Sequence, residues 1–244
     1  MNERSGHTPR LFVDLPLATG STVDLPPDTA HHVTRVLRMD SGDAVILFDG
    51  RSGEFPSRLV IEGRGTARAL VGPHVPVERE SNVAVTLLQG ISAADRMDYT
   101  IQKSVELGVA AIQPLVTTKS VVRLSGERQA KRVEHWQRVA IAACEQCGRN
   151  RVPRILDPVA VDRYMPPAEG RKWLMAPGGA DRLVAPIPGP VILAVGPEAG
   201  FTSDEERILG ARGFRTLRLG ERVLRTETAA LAALAAINAL SGEF

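Results

Sequence analysis

The rhythm of hydrophobic positions changes near residue 80. Before it, brief β-prone runs at Arg10–Leu15, Ala44–Asp49, Arg58–Ile61 and Thr66–Val71 are separated by proline, glycine and aspartate turn signals, with one helix expected over Asp28–Met39. This pattern predicts a small, barrel-like β domain. The segment Gly72-Pro73-His74-Val75-Pro76 suits a linker better than a packed element, because each proline removes a donor and restricts the residue before it. The expected domains are therefore 1–75 and 80–244.

Beyond residue 80, strand and helix alternate. Val83–Leu88 is a continuous apolar run, as in a strand buried on both faces. Ser92 offers an N-cap with Asp95 at N3, Met97, Ile101 and Val105 recur at helical spacing, and Gly108 supplies a stop. Ile112–Val116 is the next strand. Glu127–Cys147 is the longest helix, with Val133, Trp136, Val139 or Ala140, Ala143, Cys144 and Cys147 on its apolar stripe. Trp173–Ala176, Val191–Val195 and Thr216–Leu219 are three more short strands, each running into a loop that bears glycine or proline, and Ser203–Ala211 and Thr228–Leu240 are helices. Such alternation predicts an α/β domain with a mainly parallel sheet, in which ligands bind at the carboxyl ends of the strands.

Composition narrows the class. Of 244 residues, 43% are hydrophobic and 24% charged, which sets aside disordered and collagen-like chains. The longest apolar run, Ala229–Ile237, is too short to span a bilayer. The polar N-terminus shows no secretory signal and the two cysteines imply no disulfide framework, so a cytoplasmic address is expected. Charge is uneven: residues 119–154 hold nine lysines and arginines against three acids. That cluster is either the footprint of a polyanion binder or a solvated helix face.

The loops after the last three strands are Ala176-Pro177-Gly178-Gly179, Gly196-Pro197-Glu198-Ala199-Gly200-Phe201 and Gly220–Ala229. Glycine at a strand end lets backbone amides approach a ligand closely, and three such loops on one sheet edge favour a ligand site over plain turns. Neither the dinucleotide nor the P-loop fingerprint occurs, and no lysine stands in these loops to meet a triphosphate. Uncharged loops rich in glycine and proline suit an adenosine moiety held by backbone hydrogen bonds and apolar walls. Cys144-x-x-Cys147 lacks the further ligands of a zinc site and sits on the apolar stripe, and the adjacent His31 and His32 point apart on a helix; no metal is expected.

Gly196-Pro197-Glu198-Ala199-Gly200-Phe201, followed by Leu219-Gly220-Glu221-Arg222-Val223-Leu224-Arg225-Thr226-Glu227-Thr228-Ala229, resembles the paired C-terminal motifs of the RsmE family of the SPOUT superfamily, bacterial methyltransferases of uracil N3 in 16S ribosomal RNA. Val105–Val109, Cys144–Arg149 with Pro153, and His31–Val33 running to Val36-Leu37-Arg38 extend the likeness over nearly the whole chain. Ala199 departs from the family loop, which has glycine there, a change that costs strain wherever the position needs positive φ.

The resemblance implies an N-terminal PUA-like RNA-binding β-barrel, a C-terminal SPOUT domain ending in a trefoil knot, a homodimer, S-adenosylmethionine as cofactor, and 16S rRNA or the small ribosomal subunit as partner, with no membrane and no metal. It places the cofactor against Ala176, Pro177, Gly178, Gly196, Pro197, Glu198, Gly200, Leu219, Gly220, Val223, Leu224 and Thr226. Candidates for the proton and for steering the uracil are Glu145, Arg149 and Arg225, each with a structural tie as the alternative. Candidate RNA contacts are Arg10, His32, Arg35 and Arg38 in the first domain and Arg123, Lys131, Arg132 and Arg138 in the basic segment. A SPOUT relative acting on tRNA or a ribose 2′-hydroxyl, or a non-catalytic RNA-binding protein, are the alternative functions.

Overall fold

A computed structural model of the chain describes residues 8–51, 53–63, 65–120 and 126–244. The chain divides into two compact units, one of residues 1–80 with 144–152, the other of 81–143 with 153–244.

In the first unit, strands β1 (Arg10–Phe12), β2 (Thr22–Asp24), β3 (Ala44–Phe48), β4 (Phe55–Gly63) and β5 (Thr66–Leu70) form a sheet in the order β1-β3-β4-β5-β2, antiparallel except for the β1–β3 pair. Among the described residues these pairings make an open path, not a hydrogen-bonded closed barrel. Alternation along β4 turns Phe55, Ser57 and Leu59 inward, onto a core that includes Leu11, Val13, Val45, Leu47 and Val71. The expected helix is shorter and in two parts: α1 (Pro27–His31), with proline at its first position, passes directly into a π-helical turn, His32–Val36. The expected linker belongs to this unit, since Val75 exchanges both backbone hydrogen bonds with Glu54.

The second unit is a parallel sheet of β6 (Val85–Gly90), β7 (Ala111–Val116), β8 (Arg154–Ile155), β9 (Val159–Ala160), β10 (Arg171–Met175), β11 (Val191–Val195) and β12 (Arg215–Leu217). Its order is β12-β10-β11-β6-β7-β8, with β9 also on β7. Helices α2 (Ala94–Glu106), α3 (Gly126–Cys147), α4 (Ser203–Ala211) and α5 (Thr226–Leu240) complete the chain, the last turn of α3 belonging to the first unit. Met97, Ile101 and Val105 of α2 are fully buried, as their spacing requires. Phe201, Leu209 and Phe214 cover Leu88, Leu115, Leu174 and Ile192 on one face of the sheet. The helix α5 packs on α2, β6 and β11. Its one buried amide, Asn238, donates to the Leu107 carbonyl at 2.9 Å and so satisfies the end of α2.

Candidate active site

The sheet order brings the ends of β10, β11 and β12 side by side, and the three loops that follow them enclose a cavity of about 450 Å³, within the usual range for a small-molecule site. Lining it are Ala176, Pro177, Gly196, Pro197, Glu198, Gly200, Leu219, Gly220, Val223, Leu224, Arg225 and Thr226; Gly178 is not among the lining residues.

Close backbone approach builds this edge. A Cβ added at Gly90, the last residue of β6, would stand 2.4 Å from the nitrogen of Pro197 and 2.8 Å from the carbonyl carbon of Gly196, so the second loop can cross there only over glycine. The positive φ of that loop, 67°, falls on Gly200 and not on Ala199, which is why alanine at 199 carries no backbone strain. The third loop is fastened to the second by Thr226, whose buried hydroxyl donates to the Gly196 carbonyl at 2.5 Å and accepts from Nε2 of the fully buried Gln89 at 2.9 Å. Lys119 donates to the carbonyls of Ala199 at 3.1 Å and Phe201 at 3.4 Å. Gln89 and Lys119 escaped the sequence reading; a polar glutamine closing an apolar strand was the available signal for the first.

Glu198 does more than line the cavity. Its Oε1 accepts from the Ala93 amide at 3.0 Å and from Arg96 at 3.3 Å, a favourable place for a carboxylate at the positive end of α2. The N-cap of α2 is thus Ala93, with Glu198 as its surrogate cap, while the expected cap, Ser92, is buried with its hydroxyl unpartnered.

Four arginines line the cavity: Arg96, Arg218, Arg222 and Arg225. Arg96 is drawn to Glu198 and Arg218 to Glu221 at 3.2 Å. Arg222 and Arg225 are exposed, and among the described residues their guanidinium groups have no protein partner, which leaves the forks for a ligand.

The other two catalytic candidates belong to the first unit, and there they have structural partners. Glu145 accepts the Phe12 amide at 3.0 Å; burial pushes its carboxyl up, against the pull of that hydrogen bond and of His32 and Arg10. Arg149 is 4% exposed and holds Glu80 with Nη2 at 2.5 Å and Nε at 3.1 Å. Neither is among the residues that line the cavity. Cys144 on the same turn is a buried thiol pushed up to about 12 by desolvation, inert at neutral pH.

Arg10 likewise cannot meet RNA as expected. Only 8% exposed, it is paired with Glu54, bonds Asn150 Oδ1 at 2.5 Å and lies 5.0 Å from the Phe48 ring centroid. His32, Arg35 and Arg38 are exposed on and beyond the π-helical turn. On α3, Lys131 and Arg138 are exposed beside Glu127 at 2.6 Å and Glu134 at 3.2 Å, pairs too solvated to hold them, and Arg132 is half-buried. Arg123 lies outside the described residues. Part of the basic excess is internal, because Arg149 is buried against Glu80, while Arg151 stays exposed beside Glu78. Among the described residues no three His, Cys, Asp or Glu side chains converge to hold a metal, and no helix is long and apolar enough to cross a membrane.

A family model described as the RNA methyltransferase domain matches residues 79–238, and one described as the RNA methyltransferase PUA domain matches residues 25–71. Ribosomal RNA small subunit methyltransferase E of Buchnera aphidicola is 31% identical over 241 residues, covering 97% of this chain and 95% of the relative. The chain belongs to the RsmE family of RNA methyltransferases. The RsmE structure from Neisseria gonorrhoeae, bound to S-adenosylmethionine, is 40% identical and superposes with a TM-score of 0.89 over 98% of this chain and 100% of that one. A methyltransferase from Legionella pneumophila, also in complex with S-adenosylmethionine, is 37% identical with a TM-score of 0.92, covering 96% and 98% of the two chains. An RsmE architecture therefore accounts for both units: a PUA domain and an α/β methyltransferase domain that carries the cavity.

Proposed function

We propose that this chain uses S-adenosylmethionine to methylate N3 of a uridine in the 16S ribosomal RNA of the small subunit. The observation that carries the reading is the cavity built by the three strand-end loops, in a chain that matches solved relatives bound to S-adenosylmethionine over nearly its full length. The residues present fit that cofactor. Leu219, Val223 and Leu224 offer apolar walls, and Gly220 borders the cavity with nothing within 4 Å of where a Cβ would stand, so a nucleoside can lie against backbone.

When bound, the cofactor supplies a methyl group already activated on sulfur. Alignment and one proton remain for the protein, because uracil N3 is a weakly acidic imide that is nucleophilic only as its proton leaves. Arg225, unengaged at the cavity, serves the developing negative charge on a uracil oxygen. His32, Arg35, Arg38, Lys131, Arg132 and Arg138 hold RNA phosphates through charge. A trefoil knot is the path we assign to the C-terminal segment, supported by the return of α5 from the edge strand β12 to the middle of the sheet, where Thr226 ties it to β11 and β6. A homodimer is supported by Leu231, Ala232, Ala235 and Ala236 of α5, which the chain itself leaves half-covered.

Mapping modified nucleosides of ribosomal RNA with and without the gene tests the reading, and loss of one 3-methyluridine from 16S rRNA is the expected result. A lesion in tRNA or at a ribose hydroxyl would redirect the substrate. Calorimetric absence of S-adenosylmethionine binding would leave an RNA-binding protein without this activity.

A further inference from the structure

Three carboxylates line the cavity, and they differ in one respect. Glu198 is engaged at the N-terminus of α2. Glu206 is exposed to solvent on α4. Glu227, in the first turn of α5, is half-buried, and among the described residues its Oε2 is shut off from solvent with no hydrogen-bond partner. Oε2 is itself enclosed by protein, but a half-buried carboxylate left without a partner is unfavourable and stays open to a donor in the cavity it lines. Uracil presents one N–H, at N3, between two carbonyl oxygens. Glu227 stands two residues from the unengaged guanidinium of Arg225 on the same cavity, so the pair offers an acceptor for the N–H and donors for a flanking oxygen.

We infer that Glu227 is the base that receives the N3 proton, an inference that rests on the methyltransferase reading above. The N3 proton passes to the Glu227 carboxylate. The electron pair of the N–H bond becomes the bond from N3 to the methyl carbon, and the pair of the broken carbon–sulfur bond stays on sulfur. Glu227 then returns the proton to solvent. The charged groups that line the cavity with it are Arg96, Arg218, Arg222 and Arg225, with Glu198 and Glu206. Glu145 is not among the residues that line this cavity.

The test uses the full-length protein with S-adenosylmethionine and small ribosomal subunits from cells lacking the gene. Single-turnover transfer by Glu227→Gln is expected to fall about 100-fold or more at neutral pH, the usual scale for a lost general base. Cofactor affinity measured by calorimetry is expected to stay unchanged. Since the variant reacts only with uracil that has already ionised, its rate should climb steadily with pH where the wild-type rate is flat. Subunits reconstituted on RNA containing 5-fluorouridine, whose N3 proton is more acidic, should narrow the gap.

Glu227→Gln transfer equal to wild type would overturn the assignment. Weakened cofactor binding would place Glu227 at the amino-acid end of S-adenosylmethionine instead, and a slow variant rescued by neither pH nor 5-fluorouridine would make it a structural residue; both reject the base. A wild-type protein that forms no 3-methyluridine would overturn the functional reading itself, a failure distinct from these.

Discussion

The carboxylate of Glu198 caps α2 through the amide of Ala93, 105 residues earlier in the chain, at 3.0 Å. One side chain thereby ties the loop after β11 to the start of α2 at the edge of the cavity it lines. Glu198→Ala is expected to lower stability by about 1 kcal/mol, as loss of an N-cap does. It should also weaken S-adenosylmethionine binding, because the loop loses its anchor. Glu198→Gln keeps an acceptor for the amide and should retain most of both. Thermal denaturation and calorimetry on the two variants check this; equal stability in all three proteins would remove the cap.

Arg149 makes the opposite case, a catalytic candidate outside the cavity lining for which we propose a framework role. Its side chain is 5% exposed and paired with Glu80. Breaking such a pair strands a charge, and the partial exposure of Glu80 puts the cost of Arg149→Met near the low end, about 2–3 kcal/mol. Methyl transfer per folded molecule should stay close to wild type. Denaturant unfolding beside single-turnover assays decides the matter: a fully stable variant with a rate about tenfold lower or worse would return Arg149 to the chemistry.

The elements legible in the sequence are those whose signal is local. The expected Val191–Val195 is β11, because an unbroken apolar run bounded by proline and glycine has no other good reading. The three loops after β10, β11 and β12 were legible for the same reason, each following a strand that could be recognised. Thr22–Asp24, Arg154–Ile155 and Val159–Ala160 were not, since strands of two or three residues carry no periodicity. Long-range partners stayed hidden altogether. Arg10 reads as a surface cation until Glu54 and Asn150 close around it, 44 and 140 residues away. Glu145 sits in a motif of the family, yet only its bond to Phe12, across 133 residues, shows where it is committed.

Glu205 carries an acid dependence. Burial works to raise its pKa, but the amides of Thr202 at 2.8 Å and Thr118 at 2.7 Å and both threonine hydroxyls bring it below the ordinary value. A carboxyl that is more acidic when folded stabilises the native state above its unfolded pKa, about 4.3. That contribution is lost as pH falls from there through the lowered folded value. Glu205→Gln should therefore be less stable than wild type at neutral pH, and the difference should shrink on acidification. Urea unfolding of both proteins between neutral pH and the acid limb gives the comparison; a gap independent of pH would mean that the charge on Glu205 contributes nothing.

Arg225 separates binding from chemistry. It is the N-cap residue of α5, with extended backbone, and its exposed side chain lines the cavity without a protein partner. A structural arginine in this protein looks different: Arg10 and Arg149 are buried and multiply bonded. If the guanidinium meets a uracil oxygen as N3 loses its proton, the contact strengthens toward the transition state, so its loss lowers the rate more than the affinity. Arg225→Ala is expected to bind cofactor and RNA nearly as well as wild type while transferring methyl about 100-fold more slowly, the scale of one oxyanion donor. Arg225→Lys keeps the charge but not the planar fork, and should recover little of the rate. Because Arg225 has no protein partner to lose, thermal stability should not move in either variant. Single-turnover transfer close to wild type would refute the role, and a fall in stability would show that Arg225 supports the start of α5 instead.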